Sequence, residues 1–355
     1  MKNRGWLEAA FIYIGTVIGA GFASGQEIVH FFAVYGTKGM TGMLIAIILF
    51  IMLPIVVLFR IKKDNIKGYD EFMVIVLGNR IGKFVEIILT LFLFISYSVM
   101  LAGGGAIVKE NFNLNYNYGI LIMALLTLIV FIFNVKGLSY ANLILIPLLV
   151  LSILYIGIKI IGYNGLEFSN HIGANITSNG NWLTSSILYI SYNSLSAIVI
   201  FTTIDNLLKN KKDIIKTSIL SGILLGVMAF SILIPLLIKY TDVFGFEIPM
   251  LAIASSLNES CVKLYSFILM SAMFTTAIAS GFSLITRLSK IICINKNILA
   301  IILPIVTLPI SNLGFSKLVT TLYPLFGYLG LFIILIISIE FLLRLISIKK
   351  ICKLR

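Results

Sequence analysis

The sequence predicts an all-α integral membrane protein of ten transmembrane helices, arranged as a 5+5 inverted repeat with helices 1 and 6 interrupted. Three observations carry this reading: the composition, the number of long apolar runs, and polar or glycine-rich breaks in the middle of the first and sixth runs. Hydrophobic residues make up 59% of the 355 positions and charged residues 12%, and the mean hydropathy is +1.08. Soluble domains are about half apolar and a quarter charged. The net charge of +13 would fit a nucleic-acid partner if the basic residues shared one soluble face. They sit instead in short loops between apolar runs, where they orient a chain in a bilayer. A lipid bilayer is therefore the expected partner, nucleic acid is not, and the oligomeric state stays open.

A spanning helix needs about 20 mostly apolar residues. Ten runs qualify: 7–34, 39–60, 81–108, 117–134, 140–162, 182–208, 214–240, 261–290, 297–313 and 319–346. The first follows a basic N-terminus, is longer than the core of a signal peptide and has no small-residue cleavage site, so it reads as a retained span. With the N-terminus inside, 21 of the 27 basic residues fall on one side, which supports ten spans with both termini cytoplasmic; the plasma membrane is the expected location. Five is odd, so a second set of five enters from the opposite face, as an inverted repeat requires. The chain divides into a first five-helix repeat (1–162), an outer loop (163–181), a second repeat (182–346) and a basic cytoplasmic tail (347–355). Cys261, Cys293 and Cys352 lack CxxC spacing, so neither a metal site nor a disulfide framework is expected.

The first span contains GTVIGAGFASGQE, with Gly15, Gly19, Gly21 and Gly25 inside eleven residues. Each glycine weakens a helix by about 1 kcal/mol relative to alanine, and backbone that leaves the ladder in hydrocarbon must be buried in protein or line a wet cavity. Close helix packing through small-xxx-small pairs is the competing reading. Ser24, Gln26, Glu27 and His30 follow in the same span, and intramembrane ionisable groups face cavities or partners. Span six carries its own polar knot, with Ser191, Tyr192, Asn193, Ser194 and Ser196 at its centre. A broken helix frees backbone groups. The amides from Gly21 to Ala23 suit a carboxylate, and carbonyls near Ile18, Gly19 and Ile190 to Tyr192 suit an ammonium or a cation. The substrate-binding candidates read from the breaks are Gly19, Ala20, Gly21, Ser24, Tyr192, Asn193 and Ser194.

The TVIGAGF motif, the ten-span layout and the knotted span six resemble the amino acid–polyamine–organocation superfamily of secondary transporters with the LeuT fold. The fuller GTVIGAGFASGQEI with SYNS in span six is most similar to its YkvI-like membrane proteins. The resemblance implies an ion-coupled carrier of a small amino-acid-like or amine solute, alternating access around a midplane site. It also implies a candidate Na+ site: in sodium-coupled relatives, span-eight hydroxyls join carbonyls of the first half of span one, which here gives Gly15, Ile18, Ala272, Thr275 and Thr276. Threonine hydroxyls that bond back to their own helix are the alternative. A tyrosine in span three reaches the substrate in some relatives, and Tyr97 stands there. Apart from possible loading with Na+, no cofactor is expected.

Glu27 is a competing coupling group, since a membrane carboxylate can carry a proton; it could equally partner His30 or lie near the outer mouth. Gly103 to Gly105 read as a packing surface, Phe31, Phe32 and Tyr35 as lipid or bundle contacts, Asp205 as interfacial, and Phe244 to Met250 as an outer lid. A nutrient-sensing receptor of the same fold, spore-germination type, that binds without transporting is the second function class. No Walker or nucleophile-elbow motif and no cluster of His, Asp, Glu or Cys occurs at a membrane face, so an enzyme is not expected.

Overall fold

The computed structural model describes residues 5–133, 138–168 and 180–353. Lys2, Arg4, Lys136 and Arg355 of the expected inner face, and positions 169–179 of the expected outer loop, lie outside the described residues. The regular structure is helical. The first apolar run forms α1 (Gly5–Val17), α2 (Ala20–Ser24) and α3 (Gln26–Phe31), and is followed by α4 (Thr37–Asp64), α5 (Tyr69–Phe112), α6 (Tyr116–Phe133) and α7 (Leu138–Asn164). The second half comprises α8 (Trp182–Ile204), α9 (Lys211–Ile238), the short α10 (Tyr240–Val243) and α11 (Pro249–Ser255), then α12 (Glu259–Ile292), α13 (Lys296–Ser311) and α14 (Phe315–Lys353). Among the described residues, eight helices are long and apolar enough to cross a membrane, and Gly5–Val17 and Lys296–Ser311 are shorter apolar helices. Helix α5 bends at Gly78 (φ 74°, ψ 166°), which divides its first turns from the membrane-length remainder. The segment 347–353, expected as a tail, continues α14.

Burial separates the lipid face from the core. In α7 28% of the apolar window is enclosed, against 72% in α8, so α8 is a central helix and α7 a peripheral one. Leu125, Leu151 and Ile158 are exposed, as side chains solvated by lipid should be. Helix α1 packs on α8 and α9, and α14 packs along α8. The glycine run of α5 is a packing surface: a Cβ on Gly104 or Gly105 would strike Met123 or Tyr116 of α6, and one on Gly103 would strike Met273 of α12. Without hydrophobic drive between helices in lipid, such close backbone approach supplies the van der Waals attraction.

The interruption expected in span six is absent. Helix α8 is unbroken from Trp182 to Ile204, and the reason is local. It contains no glycine or proline, and three side chains of its polar knot bond back to the helix instead of opening it: Ser191 Oγ donates to Ile187 O (2.7 Å), Asn193 Nδ2 to Tyr189 O (2.9 Å) and Ser194 Oγ to Ser191 O (2.6 Å). Asn181 caps its start, accepting from the amides of Leu183 and Thr184.

At the end expected to be cytoplasmic, buried Arg60 of α4 pairs with Glu340 of α14 (2.8 Å) and Asp64 (3.0 Å). Lys62 lies 3.8 Å from Asp205, and Arg287 3.6 Å from Glu86.

Candidate functional site

Span one leaves the helical ladder after Val17. The Gly19 amide turns back to Val17 O (2.9 Å), Gly19 itself is extended (φ −86°, ψ 177°), and the ladder resumes at Ala23 N to Gly19 O (3.1 Å). The carbonyls of Gly15 and Ile18 and the amides of Ala20, Gly21 and Phe22 thereby stand outside it. A second break follows at Gly25, whose left-handed φ of 82° closes α2 and starts α3; glycine adopts that conformation without steric penalty. Ser24 steadies the turn, donating to Gly21 O (2.7 Å) and accepting from Gln26 N (3.2 Å). Tyr265 of α12 anchors it with a hydrogen bond to Ala23 O (2.5 Å).

This double break turns the chain back on itself. Glu27, 4% exposed, folds over Gly21, so that a Cβ there would collide with Glu27 Oε1. Its other oxygen, Oε2, accepts a hydrogen bond from the Tyr192 hydroxyl of α8. Three aromatic rings surround Tyr192: Phe31 stacked at 5.8 Å with an 18° interplanar angle, Tyr323 of α14 at 4.9 Å and Tyr189 at 5.7 Å. Tyr189, Phe31 and Tyr323 are buried. A carboxylate of span one and the knot of span six thus meet although α8 is unbroken.

Other candidates divide. Gly15, Ile18, Ala272, Thr275 and Thr276 line a single cavity of about 40 Å³, walled on its remaining side by Leu145, Ile146 and Leu149 of α7. The hydroxyls of Thr275 and Thr276 both donate to Ala272 O (3.1 and 2.8 Å), leaving their lone pairs as acceptors. The oxygens these five residues offer, backbone carbonyls and two hydroxyls, are hard donors of the kind that suit a hard cation. Asn193 and Ser194 have their side chains bonded to α8 carbonyls. Tyr97 does not face the break: its hydroxyl meets Thr127 of α6 at 2.7 Å, because a buried phenol needs a partner and α6 supplies one. Phe31 belongs to the site and not only to bundle packing. Tyr189, Tyr323 and Tyr265 went unread in the sequence, where nothing distinguishes them from the other tyrosines.

A larger cavity of about 260 Å³ lies between α3, the loop Phe244–Phe246 and α14, with Gln26, His30, Ser316 and Thr320 in its walls. Gln26 Nε2 donates to Ser316 Oγ (2.6 Å). The loop is held by carboxylates: Glu110 accepts from the amides of Glu247 (2.6 Å) and Ile248 (3.2 Å), and Glu247 accepts from that of Phe315 (2.7 Å).

The helical layout is that of the LeuT transporter fold. The solved structure of MhsT in complex with L-phenylalanine matches with a TM-score of 0.66 and 15% identity over 95% of this chain and 88% of that one. A manganese transporter of Eremococcus coleocola gives 0.59 with 12% identity (93% and 77% covered), and inward-facing Mhp1 0.54 with 14% (92% and 73%). At these identities the likeness is one of fold, and these neighbours are transporters, not enzymes. Two relatives in Bacillus subtilis strain 168 extend along nearly the whole chain: the uncharacterized membrane protein YkvI, 29% identical over 91% of this chain and 92% of its own length, and the uncharacterized protein YyaD, 28% identical over 94% and 96%. No family model matches.

Proposed function

We propose that this chain is a secondary active transporter of a small amino-acid-like or amine solute, of the amino acid–polyamine–organocation type. Ten spans, counting the broken first span and α13, form two inverted five-helix repeats in the plasma membrane with both termini cytoplasmic. The observation that carries the reading is the break in span one, with unladdered backbone groups on one side and a buried Glu27–Tyr192 pair on the other. Such a break, enclosed by α8, α12 and α14, is suited to a midplane site around which the helix bundle rocks. Coupling comes either from Na+ at Gly15, Ile18, Ala272, Thr275 and Thr276 or from a proton on Glu27. In the sodium case the ion supplies positive charge beside the break, and the chain's own carbonyls and hydroxyls hold it. Purified protein in proteoliposomes should accumulate solute under a sodium or proton gradient and release it when the gradient is collapsed. Equilibration of solute without accumulation under either gradient would refute active transport.

A further inference from the structure

Glu27 is the one acidic side chain buried at the break, and among the described residues no lysine or arginine pairs with it. Its hydrogen-bond partner is a neutral phenol, that of Tyr192. Aromatic rings and backbone flank this pair: Phe31, Tyr189 and Tyr323 around Tyr192, and Gly21 beneath Oε1. A carboxylate in a lipid-embedded core without a counter-charge is strongly disfavoured, and the faces of aromatic rings attract cations but not anions. The surroundings are therefore arranged for a positive charge that the chain itself does not provide.

Two further features narrow the choice. Glu27 Oε1 rests on Gly21, inside the same break as the unladdered amides, so the carboxylate of an amino-acid ligand placed there would stand close to a carboxylate of the chain. Next to it, Gln26 is 6% exposed and its Oε1 has no hydrogen-bond partner, although the residue lines the cavity of about 260 Å³. An unpartnered buried acceptor calls for an N–H donor.

We propose that Glu27 is the fixed anionic half of the solute site, and that the solute is a small organic amine bound as its cation, with no carboxylate of its own. This rests on the transporter reading and chooses between the two solute classes it leaves open. The ammonium enters past Gln26, pairs with Glu27 and lies against the rings of Tyr192, Phe31 and Tyr323. Zwitterionic amino acids are rejected because their carboxylate would meet Glu27, and like charges at close range repel.

Matched pairs that differ only by a carboxylate test this: phenethylamine against L-phenylalanine, and butylamine against L-norvaline, within a panel of primary amines beginning at methylamine. Thermal unfolding of the purified full-length protein should rise saturably with at least one amine of the panel and not with its amino acid. Glu27→Gln should weaken that response at least tenfold, and Tyr192→Phe, which keeps the carboxylate, should weaken it less. Stabilisation by the amino acids equal to that by the amines, or no response to any amine of the panel, overturns the proposal without needing a variant. Uptake into proteoliposomes separates the two claims. Gradient-driven accumulation of L-phenylalanine or L-norvaline with no accumulation of amines sinks the solute class and leaves the transporter standing. Specific amine binding with no gradient-driven accumulation of any panel member sinks the transporter and leaves the site.

Discussion

Gly19 and Gly21 sit two residues apart in the same motif, yet alanine should behave very differently at each. At Gly19 a Cβ meets nothing within 4 Å, and φ −86°, ψ 177° is an ordinary conformation for alanine. The unfolded chain loses freedom, which stabilises, while alanine is a poorer N-cap than glycine. The two effects offset, and Gly19→Ala should stay within about 0.5 kcal/mol of wild type. At Gly21 the added methyl collides with Glu27 Oε1 and comes within 3.0 Å of its Cδ. The obstructing atoms are the end of a flexible side chain, so the backbone holds and the carboxylate swings away. What is lost is the hydrogen bond from Tyr192, and a buried carboxylate is left seeking a new partner. Leaving a buried polar group without its partner costs about 1–3 kcal/mol, so about 2 kcal/mol should separate the variants. At about 2–4 °C per kcal/mol, that is a gap of about 4–8 °C between their unfolding temperatures in detergent, read by intrinsic fluorescence. Equal unfolding temperatures for Gly19→Ala and Gly21→Ala would refute the placement of Glu27 over Gly21.

Further outcomes follow from the same geometry. Tyr192→Phe removes the donor to Glu27 and should lower stability by about 1–3 kcal/mol, measured by the same unfolding assay. Replacing Thr275 and Thr276 together with alanine should abolish any sodium-dependent rise in unfolding temperature while changing sodium-free stability by less than about 1 kcal/mol, since both hydroxyls bond only to Ala272 O of their own helix and such back-bonds add little to a helix. Gly330→Ala should be poorly tolerated, because its Cβ would strike the backbone carbonyl of Ser191, an atom that cannot swing aside; overpacking of this kind costs about 1–3 kcal/mol. Gly68→Ala, with nothing within 4 Å, is its control. Arg60→Ala breaks the pairs with Glu340 and Asp64 and should cost about 2 kcal/mol, less than the 3–5 kcal/mol of a fully buried pair because both carboxylates are partly exposed.

Tyr97 and span six show where reading residues in order loses its grip. Each was a reasonable candidate by position, and each was decided by a partner that position does not reveal. Tyr97 turned to Thr127, thirty residues away on α6. In span six the hydroxyls of Ser191 and Ser194 and the amide of Asn193 turned to carbonyls of their own helix. The five residues that the resemblance implied for sodium line one cavity; helical spacing puts Ala272, Thr275 and Thr276 on one face, but only the packing of span one against α12 brings Gly15 and Ile18 to it.

By itself the sequence determined that this is a helical membrane protein, where its apolar runs lie and where the first of them breaks. These are local matters: hydropathy sets which segments dissolve in lipid, and glycine loosens the backbone wherever it occurs. Only the tertiary structure decided that Glu27 folds onto Gly21 and that a tyrosine 165 residues away donates to it. A side chain chooses its partner from whatever face another helix brings within about 3 Å, and helix faces are brought together by the packing of the entire bundle.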